Sequence, residues 1–187
     1  MKITNGNKES TITIGHWNGG SSQLGKSARG IEKLEPIKLI LGKNNIDVLG
    51  ITEANLLQDL DPCYYRIEGY DCIKSGGNIA RTVSYIKSNL NYKVCPTLMN
   101  DASAENWIEI GTHRNKWQVG VFYREFKKFG EPNTGTFEEQ VHRLDSFLAK
   151  TEVTGAKGNC ILIGDFNINL DPDNTENPYH NEELNTF

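Results

Sequence analysis

The sequence predicts a mixed α/β domain whose helices pack outside its sheets. The chain has 187 residues, of which 37% are hydrophobic and 24% charged, a balance typical of one globular domain with a buried core. Short apolar runs of strand length alternate with two longer segments of helical periodicity. Polar turns between neighbouring runs predict antiparallel hairpins as well. This alternation is typical of helices that cover the faces of sheets.

The first part of the chain predicts a disordered segment, a strand, a loop and a helix. Residues 1–10 are polar and are expected to be disordered, so the domain spans residues 11–187. A strand is predicted at residues 11–14, where apolar and polar residues alternate, and a Gly- and Ser-rich loop follows it. A helix is predicted over residues 28–44, because apolar side chains recur along one face. These side chains are Ile31, Leu34, Ile37, Ile40 and Leu41.

The remaining elements are mostly strands. The apolar run at residues 46–51 predicts a buried strand, and residues 160–163 predict another near the end of the domain. Four further strands are predicted at residues 70–73, 82–86, 107–110 and 117–123. The last two of these flank the polar residues 113–115 and predict a hairpin. A second amphipathic helix is predicted over residues 137–152.

Charge and cysteine content exclude several classes of protein. The net charge is −4, but residues 171–187 hold five acids and no Lys or Arg, so the first 170 residues carry +1. This excludes a strongly basic protein that coats nucleic acid, although local phosphate contacts remain open. The four cysteines form no C-x-x-C pair, which favours reduced thiols in an intracellular protein. No apolar stretch is long enough for a signal peptide or a membrane span.

One segment matches a nucleotide-binding pattern. Residues 20–27, Gly-Ser-Ser-Gln-Leu-Gly-Lys-Ser, fit G-x-x-x-x-G-K-S between a predicted strand and a helix, and Asp165 could then be the acidic partner of Mg²⁺. However, three residues separate the strand end at His16 from this loop, and the middle of the loop lacks glycine. A nucleotide hydrolase is therefore retained only as a remote alternative.

Polar side chains at the ends of four apolar runs form a second pattern. Asn18, Glu53 and Tyr123 follow three of these runs, and Asp165 with Asn167 follows the fourth. Strand ends that meet at one rim are a common place for catalytic groups. Two carboxylates flanked by neutral amides suit Mg²⁺, which binds one or two carboxylates and keeps several waters. The amides and the phenol can donate hydrogen bonds to phosphate without adding negative charge.

The order of these motifs resembles a known family. Trp17-Asn18, residues 46–53, Tyr123-Arg124 and Gly164-Asp165-Phe166-Asn167 are similar to motifs of the endonuclease/exonuclease/phosphatase superfamily. Within it, the Trp-led hairpin at residues 107–124 resembles the apurinic-type endonuclease domain of non-LTR (LINE-type) retrotransposons. The resemblance covers residues 11 to about 170. It implies a four-layered α/β sandwich, in which two packed mixed β-sheets are flanked by helices.

The same resemblance implies an activity and partners. A member of this family is a phosphodiesterase that hydrolyses DNA with Mg²⁺ (or Mn²⁺). Its retrotransposon members nick target DNA in the nucleus to prime a reverse transcriptase domain, which here would lie downstream. A monomer without membrane contact is expected. Other phosphoesterases of the superfamily, acting on phosphoinositide, sphingomyelin or RNA, remain the alternative.

Site roles follow residue by residue from the resemblance. Glu53 would bind the metal ion directly, with Asn18 beside it as a second metal ligand. Tyr123 would contact the scissile phosphate, and Asn167 would donate a hydrogen bond to it. Asp165 would orient the attacking water or stabilise the departing oxygen.

Basic residues near the hairpin predict a site for DNA. Arg114 and Lys116 lie at the predicted turn, and Arg124 follows Tyr123 directly. Together they predict a basic patch beside Tyr123 that holds backbone phosphates. A solvated charge cluster without function is the alternative.

The chain departs from the family at its end. The family closes with a Ser-Asp-His segment, and the sequence ends at Phe187 before any such motif. We therefore expect the last strands to be missing. Loss of an acid–base group costs about 10²–10⁴ in rate, so weak activity or an inactive truncated copy is expected.

Overall fold

The computed structural model describes residues 2–5, 8–20, 24, 28–99, 104–112, 115–124, 137–155 and 158–167. Within these ranges the chain forms ten strands and two α-helices. The strands are β1 (Lys2–Asn5), β2 (Lys8–Thr11), β3 (Ile14–Asn18), β4 (Val48–Leu57), β5 (Tyr70–Lys74), β6 (Ile79–Lys87), β7 (Tyr92–Val94), β8 (Glu105–Thr112), β9 (Asn115–Tyr123) and β10 (Asn159–Asp165). The helices are α1 (Ala28–Lys43) and α2 (Phe137–Gly155). Neither helix is long and apolar enough to cross a membrane.

Two four-stranded mixed sheets organise the chain. The first has the order β3-β4-β6-β5, and the second has the order β10-β9-β8-β7. In each sheet the edge strand is parallel to its neighbour, β3 to β4 and β10 to β9, whereas the other pairs are antiparallel. β9 and β10 therefore end side by side at Tyr123 and Asp165, whereas β3 ends at Asn18 beside Thr52, within β4.

The sheets pack face to face, and a helix covers the outside of each. Gly50 marks how closely the sheets approach, because a Cβ atom there would lie 2.7 Å from Val121 Cγ1 and 2.9 Å from Ile163 Cδ1. Helix α1 buries Ile37 and Leu41 against the first sheet. Helix α2 packs its apolar face against the outside of the second sheet, where Phe147 stacks on Phe122 with ring centroids 4.4 Å apart. These four layers confirm the predicted sandwich.

Several predicted elements are confirmed with small shifts at their ends. Helix α1 ends one residue before the predicted boundary, and α2 extends three residues beyond it. The hairpin of β8 and β9 forms as predicted, with Trp107 paired to Gly120. That the last strands of the domain are missing stays a prediction.

The beginning of the chain differs from the prediction. Residues 1–10 were expected to be disordered, but β1 and β2 pair as an antiparallel hairpin. The intervening Gly6-Asn7 pair is a known sequence signal for a tight hairpin turn. No single strand spans residues 11–14, because β2 ends at Thr11 and β3 begins at Ile14. Between them, the N–H of Thr13 donates to the side chain of Asp47, at 2.8 Å from Oδ2.

Cysteine burial gives a direct test of this packing. Cys63 is exposed, whereas Cys72 lies on β5, where burial raises the pKa of its thiol to about 12. The Asp61 carboxylate also raises the pKa of Cys63, but that thiol stays open to reagents. At pH 8 about 10⁻⁴ of the Cys72 thiol would be ionised, and only the thiolate reacts.

We therefore expect iodoacetamide to modify Cys63 well before Cys72 in the native protein at pH 8. Peptide mass spectrometry over time measures both rates, and unfolding in urea should make them similar. Equal rates in the native protein would contradict the burial of β5.

Candidate active site

The two parallel strand pairs bring the predicted polar residues to one edge of the sandwich. Asn18 ends β3 and Glu53 lies in β4, whereas Tyr123 and Asp165 end β9 and β10. The side-chain nitrogen of Asn18 donates to Asp165 Oδ2 at 2.7 Å and to Glu53 Oε1 at 3.3 Å. Tyr123 pairs with Asp165 in the register of β9 and β10, and Asn167 follows two residues later. The candidate site thus joins residues from both sheets.

The orientation of the Asn18 amide separates two possible roles for it. Its nitrogen links the two carboxylates, while its Oδ1 accepts the N–H of Gly20 at 2.8 Å. In this orientation the amide oxygen serves its own loop, so metal ligation by Asn18 would require the amide to turn over. Its role as a ligand stays a prediction, whereas the structure shows the Asn18 amide hydrogen-bonded to both Glu53 and Asp165.

A bulge in β4 directs Glu53 into the site. The pairing of β4 with β6 shifts register between Thr52 and Leu56. Within this segment Glu53 has φ +53° and Asn55 has φ +50°, values that are uncommon for residues other than glycine. Bulges re-aim side chains, and strained backbone of this kind clusters at functional sites. The local backbone therefore supports a functional role for Glu53.

The turn after β10 fixes Asp165. Its Oδ1 accepts the backbone N–H of Asn167 at 3.0 Å, and its carbonyl oxygen accepts the N–H of Arg124 at 2.9 Å. Asn167 has φ +49°, and its side-chain nitrogen donates to the Arg124 carbonyl. These contacts leave Asp165 Oδ2 directed at Asn18.

His16 lies beside this cluster, although no motif in the sequence marked it. It precedes Asn18 by two residues on β3, and its Nε2 is 3.1 Å from Thr52 Oγ1. Burial lowers the pKa of His16, and the charge of Asp165 opposes this effect. The period-two spacing to Asn18 is the sequence signal that could have identified His16.

The charge of the site suits a divalent cation. Within the described ranges, neither Glu53 nor Asp165 has a Lys or Arg partner. Two carboxylates joined by one amide thus carry uncompensated negative charge. No group of three or more His, Cys, Asp or Glu side chains in the described part could hold a metal ion. The donor set fits Mg²⁺, which takes one or two carboxylates and completes its coordination with water.

The basic residues predicted beside Tyr123 are placed differently by the structure. Lys116 lies at the other end of β9, seven residues and about 23 Å from Tyr123, and it pairs with Glu109 at 2.8 Å. Arg124 is 4% exposed, about as buried as its neighbour Tyr123. Arg114 lies outside the described residues. Lys116 thus lies away from Tyr123, because the hairpin turn is at the opposite end of the strand, and phosphate binding by these basic residues stays a prediction.

The cation that does lie beside Tyr123 is Arg81. Its Nη2 is 3.4 Å from the Tyr123 hydroxyl, and its guanidinium carbon is 5.2 Å from the ring centroid. Its Nη1 donates to Asn55 Oδ1. Arg81 could not be recognised from the sequence, because it immediately precedes a predicted strand and belongs to no motif.

Solved structures share this arrangement of layers. No protein-family model and no curated protein matches the chain. The endonuclease domain of TRAS1, a telomere-specific non-LTR retrotransposon, aligns with a TM-score of 0.57 and 12% identity over 88% of this chain and 68% of that one. An AP endonuclease from Archaeoglobus fulgidus aligns with a TM-score of 0.53 and 15% identity, over 87% of this chain and 60% of that one. The 3′ phosphatase NExo from Neisseria, bound to a product DNA hairpin, aligns with a TM-score of 0.53 and 18% identity, over 84% of this chain and 58% of that one. The chain has the endonuclease/exonuclease/phosphatase fold.

The shared arrangement of layers confirms the fold that the resemblance implied. The chain spans 58% to 68% of the length of these three structures. At such low identity the likeness concerns the fold, and the chemistry depends on the residues of this chain.

The nucleotide-binding pattern at residues 20–27 fits this fold poorly as a phosphate loop. Six of its eight residues lie outside the described ranges. The N–H of Leu24 donates to the Ala54 carbonyl at 2.9 Å, and its side chain is 1% exposed in the core. The N–H of Gly20 is used by Asn18. Both described N–H groups are therefore directed into the protein rather than toward a ligand.

Proposed function

We propose that the chain is a Mg²⁺-dependent endonuclease that hydrolyses DNA phosphodiester bonds. The observation that carries this proposal is the pair of carboxylates, Glu53 and Asp165, that come from different sheets and share the amide of Asn18. The fold supports this proposal, because the endonuclease domain of TRAS1 has the same fold, and so does NExo, whose structure contains a DNA hairpin.

Each residue of the site has a distinct task in this proposal. Glu53 would hold Mg²⁺ (or Mn²⁺), with Asn18 keeping its carboxylate in place. A bound metal ion supplies positive charge that offsets the charge developing on the phosphate oxygens. Asp165, which the turn at Asn167 holds in place, would accept a hydrogen bond from the attacking water.

Two neutral donors would hold the phosphate. Tyr123 pairs with Asp165 in the register of β9 and β10, and its hydroxyl would donate to a phosphate oxygen at this edge. The Asn167 side chain uses one N–H on the Arg124 carbonyl, and an amide nitrogen carries a second. Fixed donors of this kind stabilise a developing oxyanion without reorganisation.

The biological role that we propose is nicking of target DNA for reverse transcription. The motif order resembles LINE-type elements, and the TRAS1 endonuclease domain shares the fold. Action in the nucleus and a reverse transcriptase domain downstream are parts of this proposal. Hydrolysis of another phosphodiester is the competing outcome of the test.

Nicking of supercoiled plasmid tests the proposal. We expect the 187-residue chain to convert supercoiled plasmid to the open-circular form with Mg²⁺ and not with EDTA. Asp165→Asn should slow this conversion by about 10²-fold or more, because the amide is a far weaker base. Gel densitometry over time measures both rates.

Two controls make the result decisive. Circular dichroism must show that Asp165→Asn keeps its fold, and a phosphoinositide-release assay tests the other substrate class. Absence of nicking by folded wild-type chain in excess over plasmid would contradict the proposal.

A further inference from the structure

Three paired residues form a row across the first sheet. Asn18 of β3 pairs with Thr52 of β4, which in turn pairs with Thr82 of β6. Residues paired on neighbouring strands point to the same face of a sheet, so these side chains share the face that Asn18 presents to the second sheet. Glu53 follows Thr52 directly, where the pairing of β4 with β6 shifts register. The row is therefore the last regular pairing before Glu53.

Both ends of this row are hydrogen-bonded to the second sheet. At one end, Asn18 Nδ2 donates to Asp165 Oδ2 at 2.7 Å. At the other end, the Thr82 hydroxyl donates at 2.8 Å to the carbonyl oxygen of Ala104, the residue before β8. The same carbonyl accepts the N–H of Tyr123 at 2.9 Å, and Tyr123 pairs with Asp165. These contacts close a cross-sheet ring, whose members are Asn18, Thr52, Thr82, Ala104, Tyr123 and Asp165.

The two hydrogen bonds that join the sheets in this ring differ in their exposure. The Asn18 side chain is exposed, so water competes with its bond to Asp165. Thr82 is fully buried, which shields its bond to the Ala104 carbonyl and strengthens it. The buried bond is therefore the firmer of the two constraints on how the sheets lie beside the site.

Asn106 reinforces the buried side of the ring. It is fully buried on β8, and its side-chain nitrogen lies 3.2 Å from the Ile73 carbonyl oxygen, 3.3 Å from that of Thr82 and 3.3 Å from Ser84 Oγ. The three acceptors belong to the first sheet, whereas other parts of the facing layers are apolar. Apolar contact is non-directional, so hydrogen bonds are what can fix the offset between the sheets.

From these contacts we propose that Thr82 is a positioning residue, whose buried hydroxyl sets the spacing between Glu53 and Asp165 through the cross-sheet ring. Loss of this hydroxyl opens the ring on its buried side. The exposed Asn18 bridge is then left to hold carboxylates whose sheets have gained freedom to shift. For its chemical consequence the inference rests on the proposed function, in which the spacing of Glu53 and Asp165 governs how well Mg²⁺ and the phosphate are held.

Thr82→Val and Thr82→Ser separate the hydroxyl from the bulk of the side chain. Valine has nearly the same shape without the hydroxyl, whereas serine keeps the hydroxyl and loses a methyl group. In Thr82→Val the Ala104 carbonyl still accepts the N–H of Tyr123, so it keeps a partner and the variant is expected to fold. Thr151→Val is the matched control, because the Thr151 hydroxyl donates to the Phe147 carbonyl within α2 at 2.9 Å, outside the ring.

The first test measures the Asn18 bridge in metal-free protein and needs no activity. The side-chain N–H₂ signals of Asn18 are followed in ¹H–¹⁵N spectra and are assigned from their loss in Asn18→Ala. In Thr82→Val we expect these signals to shift and their exchange with water to become about 3-fold faster or more. Thr82→Ser and Thr151→Val should keep the wild-type signals and exchange rates.

Wild-type Asn18 signals in a folded Thr82→Val protein would overturn the inference. If Thr82→Val does not fold, Thr82→Ala, which also lacks the hydroxyl, takes its place with the same expected and contrary results.

The second test measures the effect of the ring on nicking. In Thr82→Val the Mg²⁺ concentration that gives half the maximal nicking rate should rise about 5-fold, and kcat should fall about 10-fold with little change in KM. A smaller folded fraction alone would lower the rate without changing this Mg²⁺ concentration. Thr82→Ser should restore the wild-type kcat and the wild-type Mg²⁺ dependence. Unchanged Mg²⁺ dependence in Thr82→Val would overturn the inference.

The two tests distinguish failure of this inference from failure of the proposed function. If the wild type fails to nick plasmid, the proposed function is wrong, and the Asn18 signals of Thr82→Val still decide whether the hydroxyl positions the bridge. If the wild type nicks plasmid and the Asn18 signals do not change in Thr82→Val, the inference is wrong and the proposed function stands.

Discussion

Glu53→Gln is expected to reduce Mg²⁺-dependent nicking by about 10²–10³-fold while the protein stays folded. The substitution keeps the size of the side chain and removes one of the two negative charges at the site. Its amide oxygen can still accept from Asn18, which is 3.3 Å from Glu53 Oε1. The loss therefore reports on the charge of Glu53 rather than on packing.

The mechanism behind this loss can be measured separately. Weaker metal binding should raise the Mg²⁺ concentration that gives half the maximal nicking rate. Glu68→Gln, which changes an exposed glutamate outside the site, is the matched control. It should leave unchanged both the nicking rate and the Mg²⁺ concentration that gives half the maximal rate. Wild-type rates and Mg²⁺ dependence in Glu53→Gln would show that this carboxylate is not the metal ligand.

The sequence was sufficient for those parts of the fold that depend on local periodicity. Helices α1 and α2 each bury one stripe of apolar side chains against a sheet. The spacing of these apolar residues in the sequence is therefore enough to predict where each helix lies in the chain. The meeting of Asn18 and Asp165 was also predictable, because both residues end edge strands that are parallel to their neighbours. Asn18 and Asp165 are 147 residues apart, yet their positions after apolar runs placed them together.

Features that depend on pairing between strands could not be predicted in this way. The bulge in β4 exists because its register with β6 shifts, and nothing within β4 alone specifies that shift. Arg81 gains its partner Tyr123 from a strand 42 residues later. Lys116 was misplaced for the same reason, since the direction of β9 relative to the site decides which of its ends lies near Tyr123.

Gly164→Ala is expected to destabilise the protein by about 2–5 kcal/mol, the combined cost of backbone strain and a steric clash. Gly164 has φ +148°, a conformation that residues with a side chain rarely adopt. A Cβ atom there would lie 1.9 Å from the carbonyl oxygen of Phe122 on β9. Because that neighbour is backbone, relief requires β10 to move away from β9. Urea unfolding with a constant m-value measures the loss.

Gly42→Ala is the matched control for this prediction. Gly42 lies in α1, and a Cβ atom there meets nothing within 4 Å, so the substitution should stabilise the helix by about 0.5–1 kcal/mol. A Gly164→Ala protein as stable as the wild type would contradict the close approach of β9 and β10. The same approach sets the position of Asp165, the next residue, whose carbonyl accepts the N–H of Arg124. The glycine is thus required by the backbone geometry that holds the carboxylate, and any Gly164→Ala protein that remains folded should also nick more slowly.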